Sequence, residues 1–229
     1  MRTTAFHLAA AIAVAQAACG TAADDEGGSG TLAVDAQVAY SPGAWRHLEA
    51  AQAADTTVAT VEIRRDGEPV EGAEVVLSAH DGGSQVALTG SGGSYRAVAA
   101  GYRRDVRLEV RAGSDWLTAS LRGPARHTMT EPAAGGVARR QQDLTVRWDS
   151  SERGGCSTST CSLSRSGFAA ATCRDSLRCR IPAEELLAGP ETVEVRRRVE
   201  RPLEHGTAGS RLAIDYLFAV PFVVEDGAS

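Results

Sequence analysis

The residues of this sequence whose chemistry depends most on their surroundings are its five cysteines, Cys19, Cys156, Cys161, Cys173 and Cys179. The last four fall within 24 residues, with four, eleven and five residues between successive cysteines. In an oxidising compartment such a cluster is expected to form two disulfides. Four thiolates could instead bind one zinc ion, but zinc sites usually contain a C-x-x-C pair and none occurs here. The spacing favours disulfides.

The connectivity of the four clustered cysteines is open, because four cysteines allow three combinations. A hairpin predicted around Gly167 would place Cys161 nearly opposite Cys173. This arrangement favours a nested pairing in which Cys161 joins Cys173 and Cys156 joins Cys179. The two disulfides would stabilise the C-terminal half of the chain by about 2–4 kcal/mol each.

The N-terminus has the pattern of a secretory signal peptide over residues 1–18. Arg2 precedes an apolar run at 5–15, and small residues follow it. The run of about 11 residues is shorter than the roughly 20 that a membrane-spanning helix needs. We therefore expect an exported chain whose leader is removed.

The stretch Gln16-Ala17-Ala18-Cys19-Gly20 resembles a bacterial lipobox, which implies that cleavage precedes Cys19 and that this cysteine carries the lipid. Lipoboxes usually have a large aliphatic residue where Gln16 stands. An A-x-A pattern at residues 15–17 offers another cleavage site, before Ala18, which would give a periplasmic or secreted protein. We expect the lipidated form, anchored in a bacterial membrane of the cell envelope by its acyl chains. Residues 19–30 would then be the lipidated cysteine and a flexible acidic linker.

Other candidates for chemistry are scattered along the chain. Gly90-Ser91-Gly92-Gly93-Ser94 is not followed by the helix that a phosphate-binding loop needs, because residues 95–99 predict a strand, and no G-x-S-x-G motif occurs. The histidines are isolated, and no two have the spacing of metal ligands: His7, His47, His80, His127 and His205. We predict no catalytic residue, no metal site and no cofactor.

The best candidate for a ligand contact is the charged run Glu-Val-Arg-Arg-Arg-Val-Glu-Arg at residues 194–201. On an extended strand Arg196 and Arg198 share one face, where they could bind an acidic polysaccharide or a carboxylate. Interspersed charges also protect a solvated strand from edge-to-edge aggregation. Both interpretations are open at this point.

The composition is that of a globular chain of ordinary polarity. Hydrophobic residues make up 43% of the 229 residues and charged residues 23%, and this length suffices for two domains of about 100 residues. All 24 basic residues are arginines, yet the formal net charge is −5. Because neither half of the chain has an excess of positive charge, nucleic acid is not an expected partner.

From residue 31 onward, short alternating segments separated by Gly, Pro, Asp and Ser predict strands and turns. We predict an all-β fold of two tandem immunoglobulin-like sandwiches, at 31–124 and 125–229, with Gly123-Pro124 closing the first. The clearest expected hairpin joins residues 57–64 to 73–78. One helix candidate lies at 44–54. The core of the second sandwich is expected to include a group of apolar residues: Val193, Val195, Val199, Leu212, Ile214, Tyr216, Phe218 and Phe222.

Two stretches resemble known modules. Residues 66–77, Asp-Gly-Glu-Pro-Val-Glu-Gly-Ala-Glu-Val-Val-Leu, resemble bacterial immunoglobulin-like modules of the invasin and carboxypeptidase-regulatory types. Residues 142–149, with Leu144 and Trp148, are similar to a core strand of fibronectin-III-like sandwiches. The resemblance implies a sandwich fold and a role as a spacer or adhesive module, and it carries no catalytic residues.

These observations favour a non-enzymatic lipoprotein that acts as an adhesive, spacer or ligand-binding module. Its expected partners are the membrane, through the lipid, and a polysaccharide or protein of the envelope. One alternative is a secreted or periplasmic accessory subunit of an envelope enzyme. Another is a metal-binding protein that uses the cysteines between 156 and 179.

Overall fold

The computed structural model describes residues 32–42, 56–79, 84–150, 158–172 and 177–227. These residues form β-strands, turns and one short 3₁₀ turn at Ala183–Glu185, with no α-helix among them. No helix in the described ranges is long and apolar enough to cross a membrane. The predicted all-β class is confirmed, while the helix candidate at 44–54 lies outside the described residues.

The strands follow one another along the whole described chain. In chain order they are β1 (Leu32–Ser41), β2 (Thr56–Arg65), β3 (Glu68–Pro69), β4 (Glu74–Ala79), β5 (Gln85–Ser91), β6 (Ser94–Ala100), β7 (Asp105–Ala112), β8 (Asp115–Arg122), β9 (His127–Glu131), β10 (Val137–Arg139), β11 (Leu144–Ser150), β12 (Thr158–Leu163), β13 (Ala169–Thr172), β14 (Arg178–Ile181), β15 (Gly189–Pro202) and β16 (Arg211–Glu225).

The first hydrophobic core lies between a layer in the order β16-β1-β2-β6 and a second layer in the order β4-β7-β8. Strand β5 joins the two layers, because its first residues pair with β4 and its last with β6. Alternation puts one face of each strand inward, as in β7, where Val106, Leu108 and Val110 are buried between exposed arginines. We call this the proximal core, because it contains the N-terminal strand β1.

The second core lies between the strands β13-β12-β15-β16 and a separate three-stranded sheet in the order β14-β11-β9. Trp148 is 2% exposed at its centre, as the sequence predicts. Around it pack apolar side chains from both sheets: Val146, Leu163, Ile181, Val193, Val195, Val220 and Phe222. We call this the distal core.

Strand β16 contributes buried residues to both cores, whereas the buried apolar residues of its partner β15 lie in the distal core. The two strands pair antiparallel without interruption from Gly189 opposite Val224 to Pro202 opposite Arg211. The prediction that Leu212 and Ile214 belong to the second sandwich is wrong, because both are buried in the proximal core. The reason is the pairing of β1 with the first half of β16, which carries that half into the proximal layer.

The predicted hairpin between residues 57–64 and 73–78 is also wrong. The turn at Asp66 and Gly67 forms, and both residues have a positive φ, but it leads only into the two-residue strand β3. Strand β2 is already paired on its two edges by β1 and β6, so it has no edge left for β4. The chain therefore crosses to the opposite layer, where β4 pairs with β5 and β7.

A disulfide between Cys161 and Cys179 joins the two sheets of the distal core, with a Cα–Cα distance of 6.6 Å. The predicted partners of these two cysteines are therefore wrong. The hairpin of β12 and β13 forms, but its register places Ala170 opposite Cys161, whereas Cys179 lies on β14 across the core. Cys156 and Cys173 lie outside the described residues.

We predict that the double substitution Cys161→Ala, Cys179→Ala lowers the free energy of unfolding by about 2–4 kcal/mol, because the cross-link restricts the unfolded chain. Urea unfolding of the non-reduced proteins measures this difference. Peptide mapping without reductant should recover a peptide pair that joins Cys161 to Cys179. Recovery of Cys161 linked to any other cysteine would contradict the pairing.

Candidate functional site

The charged run singled out in the sequence lies in the middle of β15. Arg196 and Arg198 lie on the outer face of the strand and are half-buried, whereas Arg197 lies on the inner face and is 2% exposed. The outer pair was the predicted ligand contact. That role stays a prediction, but each of the two guanidinium groups already has partners within the protein.

Arg198 binds a carboxylate that is completely buried. Asp215 lies opposite Arg198 in the register of β15 and β16 and is 0% exposed. Its Oδ2 is 3.5 Å from the guanidinium of Arg198 and accepts a 2.6 Å hydrogen bond from Nε2 of Gln37 on β1. Its Oδ1 makes no hydrogen bond within the described structure. A buried carboxylate of this kind depends strongly on the few partners it has.

The contacts continue from Arg198 along the outer face as alternating charges. Arg198 donates through Nε to Glu200 at 3.1 Å, and Glu200 is 3.6 Å from Arg211. Arg211 donates to both oxygens of Asp35 at 3.1 Å, and this hydrogen bonding raises the pKa of Arg211. We call Asp35, Arg198, Glu200, Arg211 and Asp215 the charge ladder. It joins the three strands β15, β16 and β1.

Arg196 pairs with Glu194 on its own strand, at 3.5 Å. Burial raises the pKa of the Glu194 carboxyl, and the negative charge of Asp215 acts in the same direction, while Arg196 opposes both. The ladder itself holds three carboxylates and two guanidinium groups, so it has no surplus positive charge. An acidic polysaccharide would have to displace Glu200 and Asp215 to reach Arg198.

The inner face of β15 belongs to a buried junction between the two cores. Arg197 donates from Nη1 to the carbonyl of Ala125 at 3.0 Å and to the hydroxyl of Ser150 at 2.8 Å. One side chain in the middle of β15 thus binds both the connection between β8 and β9 and the end of β11. A buried guanidinium requires such partners, because burying an unpaired charge is costly.

Aromatic side chains fill the rest of the junction. The rings of Tyr40, Tyr102 and Tyr216 contact one another with centroids 4.8–5.0 Å apart. Tyr102 donates its hydroxyl to the carbonyl of Pro124 at 2.5 Å, and burial raises its pKa above the ordinary value. Gly123 is needed beside them, because a Cβ there would lie 2.6 Å from Ile214 and 2.8 Å from the Tyr102 hydroxyl.

His127 completes the junction and is 1% exposed. Its ring lies 4.7 Å from that of Tyr216, and its Nε2 is 3.3 Å from the carbonyl oxygen of Val195, so Nε2 is the protonated nitrogen. Burial, with the nearby charge of Arg197, lowers the pKa of His127 to about 3. The ring is neutral at physiological pH.

Sequence reasoning missed the junction. His127 is only one of five isolated histidines in the sequence analysis, which considers the two outer arginines of β15 alone. The burial of Arg197 could have been recognised in the sequence, because Val193, Val195 and Arg197 are alternate residues of one strand and therefore lie on the same face. Nothing local marks His127, whose burial depends on strands that are distant in sequence.

The described ranges contain no group of three His, Cys, Asp or Glu side chains that could hold a metal ion. The disulfide also takes up Cys161 and Cys179, so a zinc site of four thiolates is not formed in this structure. Two of the four thiolates of the metal-binding alternative are therefore taken up in the disulfide.

We predict that Arg198→Ala lowers the free energy of unfolding by about 3 kcal/mol, because it removes the counterion of a buried carboxylate. Arg140→Ala is the matched control, since its pair with Asp226 is exposed and should contribute at most about 1 kcal/mol. Adding Asp215→Asn to Arg198→Ala should restore part of the lost free energy of unfolding, because no buried charge then lacks its counterion. Equal losses from the two arginine substitutions, measured by urea unfolding, would contradict this account.

We predict that acid destabilises the protein through His127. Its pKa is lower in the folded than in the unfolded state, so the stabilisation is complete above pH 6.5 and is lost as the pH falls towards 3. Between pH 7 and pH 5 the loss should be about 2 kcal/mol. Urea unfolding at both pH values should show a smaller loss for His127→Leu. The exposed His205 has a positive φ that Asn tolerates, so His205→Asn should keep the wild-type pH dependence. An unchanged pH dependence in His127→Leu would refute the assignment.

Comparison with known proteins does not assign the chain to a family. No family model and no curated protein matches the chain. Among solved structures it is similar to fibronectin(III)-like modules of CbhA from Clostridium thermocellum, with 10% identity, 85% of this chain and 94% of that chain covered, and a TM-score of 0.27. For the FN1–FN3 domains of chicken CNTN1 the identity is 12%, the coverage is 78% and 67%, and the TM-score is 0.24. Such TM-scores carry no argument, and the all-β fold stands on its strands and sheets.

Proposed function

We propose that this protein is a non-enzymatic component of the bacterial cell envelope, tethered to a membrane by a lipid on Cys19. In this proposal its β-sandwich body serves as a spacer that presents an adhesive or ligand-binding surface. The observation that carries the proposal is strand β16, which pairs with β15 over fourteen positions and contributes buried residues to both cores. A tether that precedes such a body would hold the distal core at a fixed distance from the membrane.

The path of the chain supports this orientation. Strand β1 begins at Leu32, and it runs parallel to β16 from Asp35 opposite Arg211 to Tyr40 opposite Tyr216. Beyond Tyr216, strand β16 continues into the distal core. The acidic linker at 19–30 therefore joins the proximal core at the end farthest from the distal core. Fifteen residues of extended strand in β16 span about 50 Å.

The junction supports a stiff body. Arg197, His127 and the three tyrosines are packed where the two cores meet. Arg197 and Tyr102 bond to the backbone that connects β8 to β9, and His127 contacts the carbonyl of Val195 on β15. Bending at this point would separate these groups and expose a guanidinium and a neutral imidazole that the fold now buries. A spacer needs this resistance to bending.

The distal end offers a surface for a partner. An open groove of about 720 Å³ is lined there by the start of β15, the end of β16, the loop before β10 and the turn between β12 and β13, including Thr192, Pro221 and Arg165. Val137 and Val223 are neighbours in the register of β10 and β16 and are 60% and 37% exposed. Exposed apolar side chains beside a groove are typical of interaction surfaces. A polysaccharide or protein of the envelope is the partner that we propose for this end.

Anchoring can be tested directly at Cys19. We predict that intact mass spectrometry of the protein from its native membrane fraction gives a chain that starts at Cys19 and carries acyl groups. The variant Cys19→Ser should leave the membrane fraction, because the acyl chains supply the membrane affinity. A wild-type chain that is unmodified and starts at Ala18 would contradict tethering and would favour a periplasmic or secreted protein.

A further inference from the structure

We infer that the parallel pair of β1 and β16 is a mechanical clamp that carries the load between the N-terminal tether and the distal core. The inference rests on the proposed function for the direction of the load. The clamp itself follows from the pairing of the strands. It would let an envelope protein that is bound at both ends resist pulling.

The directions of the two strands decide how the load acts. Two opposed forces, applied at Leu32 and at Glu225, pull β1 and β16 past each other along their common axis. In that direction the hydrogen bonds of the six paired positions are loaded together, and they must fail together. A pull across the strands would break them one at a time, which requires much less force.

The first residues of β1 have additional attachments to the turn between β15 and β16. The carbonyl of Leu32 accepts hydrogen bonds from the amide of Thr207 at 2.9 Å and from the hydroxyl of Ser210 at 3.3 Å. The amide of Val34 donates to the same hydroxyl at 3.1 Å. Ser210 is 4% exposed, so water competes little for these bonds. They hold β1 at the point where the load enters.

Side chains on both faces of β1 add to the resistance. On the outer face, Asp35 is bonded through both oxygens to Arg211, and Gln37 is bonded to Asp215. On the inner face every second residue is buried in the proximal core: Leu32, Val34, Ala36, Val38 and Tyr40. Sliding of β1 would break the outer bonds and draw these apolar side chains out of their positions simultaneously. Strand β2 pairs with the opposite edge of β1 over its whole length.

Single-molecule force spectroscopy on the purified, lipid-free chain tests the clamp. One tag precedes Leu32, and a second either follows Glu225 or is attached to a substituted side chain at exposed position Ala208, which keeps the backbone around Thr207 and Ser210 intact. The first pair of tags loads β1 in shear, and the second peels it from its first residue. We expect a several-fold higher rupture force in shear. Equal rupture forces for the two pairs of tags would overturn the inference.

A matched pair of substitutions locates the resistance. Asp35 and Asp105 each form an exposed ion pair with an arginine on a neighbouring strand, but only Asp35 lies between β1 and β16. Asp35→Ala should lower the rupture force in shear, whereas Asp105→Ala should leave it unchanged. Equal effects would show that the resistance lies elsewhere. Because the assay uses no lipid, failure of the clamp would leave the tethering of Cys19 untouched, and the reverse also holds.

Discussion

The rest of the structure depends on the uninterrupted pairing of β15 with β16. The first half of β16 is buried in the proximal core and the second half in the distal core, so neither core can form completely without this hairpin. The other strands either extend the sheet that contains this two-stranded ribbon of β15 and β16 or pack against it. A chain with two hydrophobic cores thereby becomes one body, in which a displacement of either half of the ribbon is transmitted to the other.

Polar interactions on both faces of β15 stabilise this structure. On the inner face, Arg197 ties the connecting backbone to the ribbon in a site that also holds neutral His127. On the outer face, Arg198 compensates buried Asp215 and begins the charge ladder that ends on β1. Both sites combine burial with specific partners, which is where electrostatic pairs affect stability most. The arginine run is therefore explained by the packing of three strands.

The sequence predicts local features of this fold well and distant ones poorly. The alternation of Val106, Leu108 and Val110 is sufficient to place β7 with the correct face inward. The parallel pairing of β1 with β16 leaves no local signal, because its partners are about 176 residues apart, as with Asp35 and Arg211. The disulfide prediction failed for a different reason: Cys161 and Cys179 are only 18 residues apart, but they lie on opposite sheets, and hairpin register cannot reveal a partner across the core.

Because β16 is buried in both cores, the two cores should form one cooperative unit. Native-state hydrogen exchange of the amides of β16 tests this expectation most directly, because residues 211–216 report on the proximal core and residues 217–225 on the distal core. If the two cores form one cooperative unit, the most protected amides of both halves of β16 should exchange with the same free energy of opening. A distal half that exchanges several kcal/mol more easily than the proximal half, or the reverse, would show two independent units and contradict this expectation.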